Sequence, residues 1–204
     1  RFLFTKSLGK ANHIIAPSLH LKHLIESWGI NPEKISVIRN SVDTELFAPD
    51  VSISKRFDVI TVCRLVPWKG VDELIKECSK RGLSLAVVGD GPERSNLEKL
   101  AQGQSSCNVT FLGDVPHKNL PALLNASKIF VLNSQYEGSP HSLIEALSIG
   151  MAAIARESTG SAEVINDSEN GLLSGKLRSL GDSIDLLMKD SALIERLQRG
   201  ARAT

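Results

Sequence analysis

Most of the chemistry this sequence could perform rests on a few charged side chains and the glycines and prolines beside them. Arg64 and Lys69 stand in CRLVPWKG, on either side of a proline-containing turn that precedes a helical pattern. Two cations at a helix start oppose the macrodipole, which favours anions there, so the pair requires compensation. A bound phosphate would supply it, the guanidinium acting as a planar fork and the ammonium as a point charge. A solvated turn with Lys69 in water accounts for the same spacing equally well.

EGSPHSLIEA is the richest segment. Gly138 permits unusual backbone angles and Pro140 suits a first helical turn. The amides of Ser139, His141 and Ser142 are then free to meet an anion. Glu137 and Glu145 would lie about 80° apart around the axis of one continuous helix. Two acids beside a phosphate repel it, so they make better sense as acceptors for neutral hydroxyls, such as those of a sugar and a ribose. The bland alternative makes Glu137 a helix cap and leaves Glu145 in solvent. Leu143, Ile144, Ala146 and Leu147 surround Glu145 in the chain, however, and imply a buried helix in which an acid needs a partner.

Other motifs carry less. GDGP spaces Gly89 and Gly91 as G-x-G, but Arg94 occupies the third glycine position of a dinucleotide fingerprint. A tight strand-to-helix turn, with Pro92 at the first helical position, suits it better, Gly89 being small enough for a ligand to approach. His141 reads as a loop histidine making one hydrogen bond. His13, His20, His23 and His117 have no metal-ligand spacing with any acid or cysteine, so no metal site is expected. Ser139 and Ser142 lack the G-x-S-x-G elbow of a hydrolase nucleophile. Cys63, Cys78 and Cys107 are odd in number and far apart, which argues against disulfides or zinc and for a reducing, cytoplasmic setting. They read as small hydrophobes, Cys107 the most exposed.

The elements that must position these groups follow from the apolar pattern. Short apolar runs at 13–17, 35–38, 58–62, 85–88, 109–112, 128–132 and 152–155 predict strands. Helical spacing lies between them, as at Val71, Leu74, Ile75 and Cys78, at Leu97, Leu100 and Ala101, at Leu120, Leu123 and Leu124, and at Leu143, Ala146 and Leu147. Ile184, Leu187 and Met188 mark another helix. This alternation predicts an α/β fold, an open parallel sheet with helices on both faces. Ligands of such sheets bind beyond the carboxyl ends of the strands, where CRLVPWKG, GDGP, GDVPHKN and NSQYEGSPHS all fall.

Composition excludes several functions. The 204 residues carry 24 Lys+Arg against 23 Asp+Glu, a net charge of +1, which argues against a nucleic-acid grip or binding to an acidic membrane. Six Phe, two Trp and one Tyr leave little for base stacking. No apolar run approaches the ~20 residues of a membrane span, and the start shows no signal-peptide pattern. The polar, Ser- and Pro-containing stretch NSVDTELFAPDVSISKR (40–56) marks a boundary. Residues 1–42 are expected to be the remnant of an amino-terminal domain, 43–56 a linker, and 57–204 a Rossmann-like domain cut short at its last helix. The chain opens without Met inside structured sequence, which suggests a fragment.

Together these segments resemble the donor-binding half of retaining glycosyltransferases of family 4, the glycosyl transferases group 1, which have the two-domain GT-B fold. HIIAPS is similar to the end of that family's amino-terminal domain and IRNSVDTELF to its interdomain turn. CRLVPWKGVDELI, VVGDGPER, VTFLGDV, EGSPHSLIEAL and TGSAEVINDSENGLL follow in the family's order, with the E-x7-E pair and Arg-x4-Lys as the specific combination. Cys63 and Ser41 stand where the family often has Gly, and Ser139-Pro140 replaces a more frequent apolar-Gly pair.

The resemblance implies a role for each of these residues. Arg64 and Lys69 would hold the donor diphosphate and stabilise its charge as the glycosidic bond breaks. Glu137 would contact the donor sugar. Backbone amides from Gly138 through Ser139, Pro140 and His141 to Ser142 would contact sugar and phosphate, and Glu145 the ribose. Gly89 and the loop around Val115 would line the base pocket. Transfer would retain anomeric configuration and need neither metal nor cofactor, with UDP or GDP as the carrier. The acceptor, a carbohydrate, glycolipid or small molecule, would belong to the missing domain, so this chain alone would be inactive. Polysaccharide or glycolipid synthesis in the cytoplasm or at the cytoplasmic face of a membrane follows, with peripheral association through the missing domain. A nucleotide-sugar epimerase on the same fold, or a non-catalytic nucleotide-binding module, is the alternative.

Overall fold

The computed structural model describes residue 5, residues 7–104, residue 106 and residues 108–204; Cys107, expected to be exposed, lies outside them. Six parallel strands build the main sheet: β3 (Phe57–Val62), β4 (Leu85–Val88), β5 (Val109–Gly113), β6 (Ser127–Leu132), β7 (Ala152–Arg156) and β8 (Leu172–Ser174). Their order across the sheet is β5-β4-β3-β6-β7-β8. The chain starts in the middle, winds outward through β4 and β5, and returns to place β6 beside β3, Val59 opposite Ile129. It then winds outward the other way. The reversal between β3 and β6 opens a crevice at their carboxyl ends, where such sheets bind ligands.

Both faces of the sheet are covered, so its strands are apolar on both sides rather than alternating with polar residues. Val59, Val87, Ile129 and Ile154 point into one layer, against α2 (Val71–Lys80), α3 (Arg94–Gln102), α6 (Leu180–Lys189) and α7 (Ser191–Arg202). Their neighbours Ile60, Val88, Phe130 and Ala155 point into the other, against α4 (Leu120–Asn125) and α5 (His141–Ser148). This is the two-residue period of a strand expressed as two cores. Strand β8 escaped the sequence reading because its three residues at the sheet edge are too few to show a pattern. The final helical pattern divides at Asp190, whose carboxylate accepts from Leu193 N at 2.9 Å and caps α7 where α6 ends.

A smaller β-α-β unit precedes this sheet: β1 (Ile14–Ala16), α1 (Leu19–Glu26) and β2 (Ile35–Val37), the strands parallel. Ile14, Ala16, Ile30 and Ile35 form its core, while Ile15 and Ile38 are exposed. Ser18 caps α1, accepting from Leu21 N at 3.2 Å. Glu163 reaches across from the main unit, where its two carboxylate oxygens accept from Leu19 N at 2.9 Å and His20 N at 2.6 Å. An anion on those orphan amides suits both their geometry and the helix dipole.

Residues 43–56, expected as a linker, lie fastened along the main unit. Phe47 is fully buried in the second core, and its carbonyl accepts from Ser148 Oγ at 2.9 Å. Asn125 accepts from Asp50 N at 2.9 Å and donates to Ala48 O at 3.1 Å. Among the described residues no helix is long and apolar enough to cross a membrane.

Candidate functional site

The carboxyl ends of β3 and β6 deliver Lys69 and Glu137 to the same point. After β3 the chain makes a 3-10 turn over Pro67–Lys69 and reverses at Gly70, a left-handed residue with φ of 62°. Gly70 is required twice, because a Cβ there would also sit 2.6 Å from Asn133 Nδ2. Buried Asn133, just past β6, donates to Gly70 O at 3.0 Å and to Glu73 Oε2 at 2.9 Å. The turn is thereby tied to the neighbouring strand. Lys69 Nζ lies 2.5 Å from Glu137 Oε1, with their side chains only 17% and 11% exposed.

Glu137 is also held through its backbone. Its carbonyl oxygen accepts from Gly160 N at 3.0 Å and from Thr159 Oγ1 at 3.2 Å, both in the segment after β7. The compensation required by Lys69 therefore comes from a carboxylate of the protein itself. Arg64 is different. It is exposed, and its guanidinium makes no ion pair or hydrogen bond with any of the described residues. It lines a cleft of about 600 Å³ together with Gly89, Asp114, Val115 and Leu120.

Gly89 belongs to that cleft, but its lack of a side chain has a closer cause than ligand approach. Its φ is 116°, and a Cβ would collide with the Cys63 carbonyl on the adjacent strand. Pro92 falls in a turn, and the first residue of α3 is Arg94, two positions beyond the expected start. Burial pushes the Cys63 thiol up to about 11, with Lys69 and a hydrogen bond from Thr61 acting against it and Glu137 reinforcing it. At neutral pH this cysteine is a thiol and a packing residue, not a nucleophile.

The segment from Gly138 to Ser142 enters α5. Gly138 does not adopt positive φ. A methyl group there would approach Leu21 Cδ1 to 2.9 Å, so the glycine permits close approach of the smaller unit. Ser139 is engaged from the connector, its Oγ accepting from Asn40 Nδ2 at 2.9 Å. It faces a second cavity, of about 440 Å³, bounded by residues 39–44, α5 and the end of α7. Pro140 is buried at the N-cap of α5 and His141 is exposed. The first carbonyl in the helix to accept is that of Pro140, from Ile144 N, which leaves the amides of His141 and Ser142 unpaired within the helix.

Glu145 is buried in α5. Its carboxylate has one side-chain partner among the described residues, His117 Nε2 at 2.7 Å from Oε1. His117 opens the 3-10 turn after β5 and packs on Phe47, ring centroids 5.0 Å apart. Among the described residues no three His, Cys, Asp or Glu side chains converge to hold a metal ion.

The structure thus joins Lys69 to Glu137, puts Arg64, Gly89 and Val115 on one cleft, and turns the Ser139 side chain toward another. Sequence reasoning missed Asn133, Asn40, His117 and the Thr159–Gly160 clamp. The clamp had a signal, since ESTGS follows a strand and falls on the same sheet edge as the other loops. The others act through distant partners that spacing does not reveal.

The family model described as Glycosyl transferases group 1 matches residues 43–204, and that described as Glycosyltransferase Family 4 matches residues 1–46. The phosphatidylinositol N-acetylglucosaminyltransferase protein of Homo sapiens is 34% identical over 193 residues, covering 90% of this chain and 40% of that protein. An uncharacterized glycosyltransferase of Methanocaldococcus jannaschii is 30% identical over 192 residues, 84% of this chain and 49% of its own. The chain therefore spans less than half the length of these two relatives. Its fold is similar to that of Anabaena HepE in complex with UDP and glucose, with a TM-score of 0.88 at 23% identity over 99% of this chain and 60% of that one. With a parallel Rossmann-like sheet of this GT-B kind and a family match running from residue 43 to residue 204, the chain belongs to the glycosyl transferases group 1.

Proposed function

We propose that this chain is the donor half of a glycosyltransferase that moves a sugar from a nucleoside diphosphate to an acceptor, without a metal and with retention of anomeric configuration. The observation that carries the reading is the buried Lys69–Glu137 pair at the β3/β6 crevice, with exposed Arg64 on the adjoining cleft. A diphosphate entering there meets Arg64 as a fork and Lys69 as a point charge. Both cations are set before the leaving group gains charge, so little reorganisation is needed as the glycosidic bond breaks. Glu137, fixed by Thr159 and Gly160, offers its carboxylate to sugar hydroxyls, and Glu145 offers its own to the ribose. The amides of His141 and Ser142 add neutral donors for sugar or phosphate.

Relatives support this reading. The solved neighbour holds UDP and glucose, and the human relative is named an N-acetylglucosaminyltransferase. Transfer fits these names better than epimerisation does. Titration calorimetry of the chain with UDP and GDP in excess chelator tests the site. Binding without metal is expected, weakened about tenfold or more in Glu145→Ala by loss of ribose hydrogen bonds. A folded chain that binds no nucleoside diphosphate or nucleotide sugar overturns the reading. The acceptor would be held by sequence found in longer relatives, so the 204 residues alone should transfer no sugar. Turnover by this chain would refute that, and an inverted anomeric product from a longer form would refute retention.

A further inference from the structure

Glu145 presents a problem that its own helix does not solve. It is buried, its chain neighbours Ala146 and Leu147 are buried, and a desolvated carboxylate without a partner is strongly unfavourable. The partner comes from another element. His117, on the turn after β5, brings Nε2 to 2.7 Å from Oε1. Its ring is itself placed by Phe47, which is fully buried in the second core. The imidazole side chain is 62% exposed, so it stands at the mouth of the site rather than in the core.

We propose that His117 is a positioning residue for the nucleoside ribose, acting through Glu145. The inference rests on the donor-site reading above. A carboxylate offers about four acceptor positions on its two oxygens. His117 uses one of them, on Oε1, and leaves Oε2 unspent for a pair of ribose hydroxyls. By fixing one oxygen it restricts the carboxylate to a single orientation before the nucleotide arrives, so less freedom is lost on binding. For this Nε2 must carry a proton, a condition met by the Nε2–H tautomer and by the imidazolium alike. Lys118 and Asp114 flank the residue in the chain, whereas Phe47 and Glu145 are what it meets across the fold.

The test is calorimetry on the full 204-residue chain with UDP and GDP and with their 2′,3′-dideoxy counterparts. His117→Ala should weaken the ribonucleotide about five- to twentyfold and leave the dideoxy compound unchanged within about twofold. His117→Gln, whose amide can reach the same oxygen, should recover most of the loss. In a Glu145→Ala background the effect of His117→Ala should vanish. Equal weakening of both nucleotides would mean a general structural role and overturn the proposal. So would tighter ribonucleotide binding in His117→Ala, which would make the histidine a competitor of the ribose. Nucleotide binding indifferent to His117→Ala overturns this role alone. A wild-type chain that binds neither UDP nor GDP overturns the donor-site reading and the His117 role with it.

Discussion

Gly160→Ala tests whether the segment after β7 holds the Glu137 loop. Gly160 has φ of −76°, so alanine meets no backbone strain and any effect is steric. The added Cβ would lie 2.5 Å from Glu137 O, 2.8 Å from Glu137 C and 3.0 Å from Gly138 C. All three are backbone atoms and cannot turn aside as a side-chain end can. Overpacking of this kind costs about 1–3 kcal/mol. Separation of the two segments also weakens the bonds from Gly160 N and Thr159 Oγ1 to Glu137 O, each worth about 0.5–1.5 kcal/mol. A total near 2–4 kcal/mol corresponds to a fall in Tm of about 5–15 °C for a chain of this size. Calorimetric or dichroism melting gives that number directly. Gly103→Ala is the control, because φ there is −75° and the nearest atom, Leu100 O, is 3.4 Å away. It should leave Tm unchanged or slightly raised. A Gly160→Ala Tm within about 1 °C of wild type would refute the clamp. The two segments would then not be held in contact.

Lys69→Met should lower stability by about 1–3 kcal/mol by stranding the Glu137 carboxylate, and adding Glu137→Gln should restore part of the loss in chemical denaturation; a double variant no better than the single one contradicts the pairing. Phe47→Ala should cost about 3–5 kcal/mol and expose the 43–56 strap to limited proteolysis before the sheet unfolds; cleavage elsewhere first would show that the strap is not anchored there. Burial alone would push the Asp58 carboxyl up, yet Lys128 at 2.7 Å and hydrogen bonds from Ser84 N and Oγ hold it below the usual 3.8. Because the folded value is the lower one, this stabilisation is complete above the unfolded value and is lost as pH falls through the folded one. Melting of Asp58→Asn should therefore lose less stability than wild type between about pH 6 and pH 3, and equal losses would contradict the assignment.

Much of the architecture was legible because parallel sheets buried on both faces write themselves as short apolar runs. LAVV and KIFVL could hardly be placed elsewhere, and the helix face Val71, Leu74, Ile75, Cys78 packs as its spacing demands. The rule that loops at strand ends carry function led directly to Lys69 and Glu137, which meet at 2.5 Å although 68 residues separate them. The roles of glycines were less legible. Gly89 and Gly138 suggested room for a ligand or unusual angles, whereas the closest constraints are the Cys63 carbonyl and Leu21. A glycine signals that something approaches, not what approaches.

Local pattern was enough for the class of fold, the sheet edge on which function would lie and the charged residues gathered there. These depend on periodicity and on the order of segments, both of which are present in the chain before it folds. Tertiary structure alone paired Glu145 with His117, locked the Glu137 carbonyl with Thr159 and Gly160, and turned Ser139 toward Asn40 and away from the Arg64 cleft. Each is a contact between residues remote in sequence. It exists only because β6 returns beside β3 and closes the crevice, bringing together side chains whose spacing along the chain carries no trace of their meeting.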